Sequence, residues 1–143
     1  MSTTDDNTAA VNGFFAVAGH GDLDALDALV SPDYVMHDPS APEEARGLEG
    51  ARAFVQGYRE ALGPIQVTID HQFAHGDYVA TRFTARGRHE GELMGVAATG
   101  AEVTFTGLCI SRCSDGKVAE EWEIVDQVAL MRQIGALPEL AAS

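Results

Sequence analysis

Apolar residues recur at helical spacing in three stretches of the N-terminal part of the chain. Residues 4–19 form the first stretch, which a threonine at its start would cap and Gly19 would end. Residues 23–30 form a shorter one that Asp22 would cap, and residues 48–62 form the third, followed by Gly63. The pattern therefore predicts three helices.

After the third helix the apolar period changes from helical spacing to two, which is typical of strands. An Asp-Gly pair inside SDGK (114–117) predicts a tight hairpin, because such a pair adopts the positive φ angles that the favoured turns need. Alternation predicts four long strands, at residues 65–73, 78–89, 103–113 and 118–126.

Helices come first, then a strand meander, then a short closing helix before Gly135. Such segregation predicts an α+β fold in which a curved antiparallel sheet wraps around the N-terminal helices, a cone-shaped α+β barrel. A short extended piece, YVMHDPSAPEEARG (34–47), runs into a loop that we expect to border the open end of the cone. The cone would enclose a pocket for a small molecule.

The size and composition of the chain fit one globular domain spanning residues 1–143. No apolar run approaches the roughly 20 residues that a membrane span needs. The start, MSTTDDNTAA, lacks the basic and apolar regions of a secretory signal, so we expect a cytoplasmic protein.

The formal charge of −13, with nine scattered basic residues, disfavours nucleic-acid and anionic-membrane partners. The two cysteines, Cys109 and Cys113, lie on one strand about 13 Å apart, too far for a disulfide. With no histidine at ligand spacing they also predict no metal site, and we expect buried free thiols.

The last strand ends in a carboxylate. A period of two places Trp122, Ile124 and Asp126 on one largely apolar face, which we take as the inner one. Glu121 and Glu123 then fall on the opposite face, which we interpret as solvated together with the neighbouring acidic run. Asp126 is either the N-cap of the closing helix or an acid/base whose pKa is raised in an apolar cavity, and periodicity alone favours the cap.

Two histidines are further candidates. His89 shares the inner parity of its strand, and His37 would lie at the rim of the pocket, although both also fit ordinary structural roles. An apolar and aromatic lining could come from residues that more often belong to a core, namely Tyr34, Phe54, Tyr58, Phe83, Met94 and Trp122. The sequence contains no GxGxxG, P-loop, GxSxG or HExxH motif, so nucleotide-dependent, serine-hydrolase and zincin functions have no support.

Two segments together resemble a known family: RGRHEGELMGVAATG (86–100) and GLCISRCSDGKVAEEWEIVDQVALMRQIG (107–135). They are similar to the SnoaL-like polyketide cyclases, which belong to the cone-shaped superfamily named after nuclear transport factor two. YVMHDP and the helix GLEGARAFVQGYREAL also stand where such proteins carry their pocket rim and third helix. The resemblance extends over residues 11–135.

This resemblance implies an enzyme without cofactor or metal that closes a ring by intramolecular aldol condensation in aromatic polyketide biosynthesis. It implies that Asp126 is the acid/base and that His89 binds a substrate carbonyl or orients Asp126. It also implies a homodimer or homotetramer formed through the outer face of the sheet.

One pocket position departs from the family. A well-known cyclase of this kind carries a histidine where this chain has Cys109, which leaves the reaction open. The alternatives are a protein associated with polyketide hydroxylation, an isomerase or epoxide hydrolase of the same fold, and a non-catalytic domain that binds hydrophobic ligands. An epoxide hydrolase would need an Asp-Arg-Asp arrangement, for which Arg82 lies on the wrong face.

Overall fold

The helices predicted from the sequence are present in the computed structural model, which describes residues 3–137. A single 3-10 turn, Leu23–Ala25, precedes α2 and is capped by Asp22 as expected. The left-handed backbone of Gly63, at φ 69°, ends α3. The helices are α1 (Thr3–Gly19), α2 (Leu26–Leu29), α3 (Gly47–Leu62) and α4 (Gln127–Gln133).

Six strands form one curved, unclosed sheet in the order β2-β1-β6-β5-β4-β3. All neighbouring strands are antiparallel except β1 and β6, which run parallel. Their bounds are β1 (Val30–His37), β2 (Ala45–Arg46), β3 (Gln66–His75), β4 (Tyr78–Arg88), β5 (Glu102–Ser114) and β6 (Lys117–Val125). The α+β class with a curved sheet around N-terminal helices is confirmed, with the sheet left open between β2 and β3.

The concave face of the sheet packs against α1 and α3 and forms the core. Val11 and Phe14 of α1 and Val55 of α3 are buried there. On β4, every second residue from Val79 to Ala85 is buried, so the inner parity predicted for that strand is confirmed. Cys109 and Cys113 are buried free thiols, also as expected.

The predicted parity of β6 is wrong, and the reason is a β-bulge at its start. The β5–β6 register shifts by one residue after Arg112, which pairs with Glu120, while Cys113 pairs with Val118. Val118 and Ala119 are therefore both buried, and every later residue of β6 is turned to the face opposite to the one predicted. Trp122 and Ile124 consequently lie on the outer face, 39% and 65% exposed.

A second register shift lies in β3, the long edge strand. Ile69 pairs with Phe83 and His71 with Arg82, so Asp70 between them is a bulged residue without a register partner on β4. At the opposite edge of the sheet, β2 is only two residues long.

Candidate functional site

An apolar cavity lies between the concave face of the sheet and the helices α1 and α3. Its volume is about 50 Å³, enough for a few water molecules. The wall consists of Phe15, Ala18, Phe54, Val55, Tyr58, Ile65, Val67, Phe83, Ala85, Phe105, Glu123 and Val125.

Glu123 is the only residue of this wall with a carboxyl group. It is 7% exposed, and its carboxyl has no hydrogen-bond partner among residues 3–137. Burial raises the pKa of Glu123 to about 8, and the charges of Glu121 and Asp38 act in the same direction. An unpartnered carboxyl with a pKa near neutrality, facing an apolar cavity, is suited to general acid/base chemistry.

Two aromatic side chains of α3 stand beside it. Tyr58 and Phe54 meet edge to face with their ring centroids 5.3 Å apart, and Tyr58 also stacks on Phe105 at 6.5 Å. Burial, together with the charge of Glu123, raises the pKa of Tyr58 to about 12, so its phenol stays protonated and can donate a hydrogen bond.

A second buried carboxyl, Glu121, lies behind the cavity wall. Its Oε1 accepts a 2.8 Å hydrogen bond from the Tyr34 hydroxyl, and its Oε2 accepts bonds of 2.7 Å from Ser111 and 3.1 Å from the Cys109 thiol. Burial raises the pKa of Glu121, and these bonds oppose that rise. The expectation that Glu121 and Glu123 form part of a solvated face is thus wrong, because the bulge turns both inward.

Asp126 lies at the exposed N-terminus of α4 rather than inside the cone. Its side chain accepts a 3.0 Å hydrogen bond from the backbone N–H of Ala129, which is the geometry of an N-cap. The cap interpretation is therefore confirmed, and the prediction that Asp126 faces inward is wrong. The prediction that it acts as the acid/base stays without support from the geometry.

His89 is fully buried at the end of β4 but is not on the cavity wall. Its Nδ1 accepts a 3.2 Å hydrogen bond from the backbone N–H of Thr99 and contacts the Thr99 hydroxyl at 2.9 Å. Nδ1 as acceptor leaves the proton on Nε2, which has no partner within the described residues. The structure thus assigns His89 a role in closing the 89–101 loop, and its catalytic role stays a prediction.

His37 lies at the rim, as expected. It contacts Glu44 at 3.0 Å and Glu120 at 2.7 Å, and its ring stacks on Trp122 at a centroid distance of 5.4 Å. A groove of about 320 Å³ runs past these side chains. Glu123 also borders this groove, and so connects the rim with the cavity.

The remaining predicted pocket residues separate into two groups. Phe54, Tyr58 and Phe83 line the cavity as expected. Tyr34 and Cys109 do not, because both are buried and hydrogen-bonded to Glu121. Met94 is 42% exposed in the 89–101 loop, and Trp122 lies on the outer face beside the rim groove, so neither lines the cavity.

One feature of the sequence indicated that Glu123 is buried, although the period of two placed it on the outer face. Ala119 and Val125 flank the two glutamates on one face, and the small residues Ser111 and Cys109 of β5 pair with Glu121 and Glu123. Charged residues are almost never fully buried unless they are paired, so a solvated face was the ordinary interpretation. The single extra residue in the β5–β6 hairpin turns both glutamates to the inner face.

No helix among residues 3–137 is long and apolar enough to cross a membrane. Arg82, considered for an epoxide-hydrolase arrangement, is half-exposed and lies 3.6 Å from Asp70, away from the cavity.

Comparison with known proteins agrees with the fold. The sequence pattern described as SnoaL-like polyketide cyclase matches residues 8–134. The aklanonic acid methyl ester cyclase DnrD from Streptomyces peucetius is 27% identical over 107 residues, which are 74% of this chain and 71% of that protein.

Two solved structures are also similar. IdmH from Streptomyces antibioticus, a candidate polyketide cyclase, is 34% identical with a TM-score of 0.78, over 90% of this chain and 98% of that one. AclR from Streptomyces galilaeus, a candidate hydroxylase, is 27% identical with a TM-score of 0.83, over 97% of this chain and 87% of that one.

Proposed function

Because the chain belongs to the SnoaL-like polyketide cyclases, we propose that it closes a ring in a polyketide-like substrate by intramolecular aldol condensation, with Glu123 as acid and base. The observation that carries this proposal is the position of Glu123. It is the only carboxyl on the wall of an apolar cavity, and it has no hydrogen-bond partner of its own among residues 3–137.

The reaction starts with a proton transfer from carbon. The ionised carboxyl of Glu123 takes the acidic proton between two carbonyls, and the electrons of the C–H bond delocalise into an enolate. The enolate carbon then forms a bond to a second carbonyl carbon, whose π electrons move to its oxygen. That oxygen takes the proton from Glu123, so the carboxylate is restored and the atoms balance without an added oxidant or reductant.

Tyr58 is our candidate for a hydrogen bond to a substrate carbonyl. Its phenol stays neutral, and the wall that it shares with Glu123 contains no cationic side chain. A neutral donor strengthens as negative charge develops on oxygen in the transition state.

The character of the wall supports an uncharged, hydrophobic substrate. Eleven of the twelve wall residues are uncharged, and the rim adds the carboxyls of Asp38 and Glu44. A free carboxylate on the substrate would meet these negative groups without a cation on the cavity wall to pair with. We therefore propose that an ester is accepted in preference to the corresponding acid.

The first test compares Glu123→Gln with Asp126→Asn. Both changes are nearly isosteric, and Asn is as good an N-cap as Asp, so the second variant is a matched control. Each protein is incubated with a panel of polyketide methyl esters and 1,3-dicarbonyl compounds in D₂O. NMR then follows deuterium entry at the acidic carbon, and mass spectrometry follows ring closure.

We expect Glu123→Gln to lose about 10²–10⁴-fold of the exchange rate while it still binds the compound, and Asp126→Asn to stay close to wild type. The reverse result would return the acid/base role to Asp126. Binding without exchange in any protein would favour the non-catalytic ligand-binding alternative. A product heavier by one oxygen atom would favour the hydroxylation alternative, which the similarity to AclR raises.

A homo-oligomer is a further part of the proposal. Trp122 and Ile110 are cross-strand neighbours on the outer face, as are Ile124 and Leu108, and all four are 39–65% exposed. A contiguous exposed apolar face of this kind is typical of a protein interface. It supports the homodimer or homotetramer expected from the family resemblance.

A further inference from the structure

The two inward carboxyls of β6 have opposite surroundings. Glu121 accepts hydrogen bonds from three donors, namely the Tyr34 hydroxyl, the Ser111 hydroxyl and the Cys109 thiol. Hydrogen bonds that donate to a carboxyl favour its charged form. Glu121 is therefore the carboxyl of the pair that is built to be ionised.

Glu123 is built to be neutral. Cys109 is its cross-strand partner on β5, yet the single S–H of that thiol points to Glu121 instead. Glu123 is left with no donor among the described residues, in an apolar wall that solvates an ion poorly and meets water only through the rim groove.

The two groups are close enough to interact strongly. They are two residues apart on one face of a strand, which puts their Cα atoms about 7 Å apart. Two like charges at that separation in a buried site repel each other. One ionised carboxylate therefore makes the second ionisation harder.

From this arrangement we propose that Glu121 is a positioning residue for the reaction: its buried negative charge, fixed by three donors, raises the proton affinity of Glu123, so that the ionised fraction of Glu123 is a stronger base toward the proton on the substrate carbon. Glu121 does not itself line the cavity. The inference rests on the acid/base role proposed for Glu123.

The other titratable groups near the pair do not supply that charge in its place. Burial raises the pKa values of Tyr34 and Cys109 well above their ordinary values, so both remain neutral donors. Tyr58 on α3 and Cys113 on β5 have pKa values of about 12 and about 11 and are neutral as well. Among residues 3–137, Asp38, after β1, is the one further carboxyl that raises the pKa of Glu123, and its contribution is smaller than that of Glu121.

The direct test measures the protonation of Glu123 without any substrate. Wild type and Glu121→Gln are labelled with ¹³C at the glutamate carboxyl carbons and titrated by NMR, and Glu123→Gln identifies the Glu123 signal by its loss. We expect the midpoint of Glu123 to fall by about one pH unit or more in Glu121→Gln, as the repulsion at this separation implies. An unchanged midpoint would overturn the inference.

Glu121→Asp distinguishes charge from shape. It keeps the negative charge and shortens the side chain, so we expect the midpoint of Glu123 to stay raised. If the Glu123 midpoint falls equally in Glu121→Gln and Glu121→Asp, packing rather than charge is responsible, and the proposal is refuted.

The wild-type titration keeps the inference open to refutation if Glu121→Gln fails to fold. At neutral pH the Glu121 signal should be that of a carboxylate and the Glu123 signal that of a carboxylic acid. A protonated Glu121 under these conditions would refute the inference. If the midpoint shifts as expected but no dicarbonyl compound exchanges its proton, the electrostatic role of Glu121 holds and the proposed function fails.

Discussion

Replacing Glu123 by Gln should change how the stability of the fold depends on pH. The pKa of Glu123 is raised by burial from an ordinary value of 4.5 to about 8 in the folded protein. The folded state therefore binds a proton that the unfolded chain releases at lower pH. The stabilisation that comes from keeping Glu123 protonated is fully present in the free energy of unfolding below about pH 4.5. It is lost as the pH rises to about 8.

The size of the effect follows from the same two values. At 1.36 kcal/mol per pH unit, the interval between 4.5 and about 8 corresponds to about 5 kcal/mol. Gln carries no charge at either end of this pH range, so the Glu123→Gln variant does not lose this part of its unfolding free energy. An unpaired amide in the wall costs about 1–3 kcal/mol at every pH, which shifts the variant's whole curve without changing its slope.

Urea denaturation at a series of pH values from about 4.5 to about 9 measures this slope. Trp122 is the only tryptophan and is 39% exposed, so its fluorescence reports unfolding. The unfolding free energy of wild type should fall relative to that of Glu123→Gln up to about pH 8 and then run parallel to it. Asp126→Asn should follow wild type throughout. Parallel curves for wild type and Glu123→Gln would refute the argument that Glu123 is buried without a partner.

Two further predictions concern packing and assembly. Gly107→Ala should destabilise the fold by about 1–3 kcal/mol in urea denaturation and weaken ligand binding. The reason is that the added Cβ collides with the ring of Phe83 on the cavity wall. Unchanged stability and affinity would contradict this packing. The double change Leu108→Glu and Ile124→Glu should convert an oligomer into a monomer in sedimentation velocity, because both side chains are exposed on the outer face. An oligomer that persists in the double variant would place the interface elsewhere.

The fold was predictable because its helices and strands follow regular periods. The caps and stops, such as Asp22 and Gly63, mark the ends of elements through local backbone chemistry. The prediction of which β4 residues face inward is also confirmed, because that strand pairs with β5 without interruption. Each of these features depends on residues close together in the chain.

The candidate site was not predictable in the same way. The face of β6 depends on a single bulge after Arg112, and the hydrophobic pattern of Val118, Trp122 and Ile124 argues for the wrong face. The burial of Glu121 depends on Tyr34, which is 87 residues away in the chain. Such non-local partners leave no trace in a local period, so the sequence pattern pointed to the cap residue Asp126 instead of the buried Glu123 that we propose as the acid/base.

The bulge in the edge strand β3 has a consequence for misassembly. A long unpaired strand at the edge of an open sheet is a template on which another chain can add, and fibrils grow from such edges when they are regular and flat. In β3 the bulge at Asp70 interrupts the strand, so an incoming chain meets two short runs, residues 66–69 and 71–75, instead of one continuous ladder. With β2 only two residues long at the other edge, neither edge strand offers a long regular ladder on which a second chain could add.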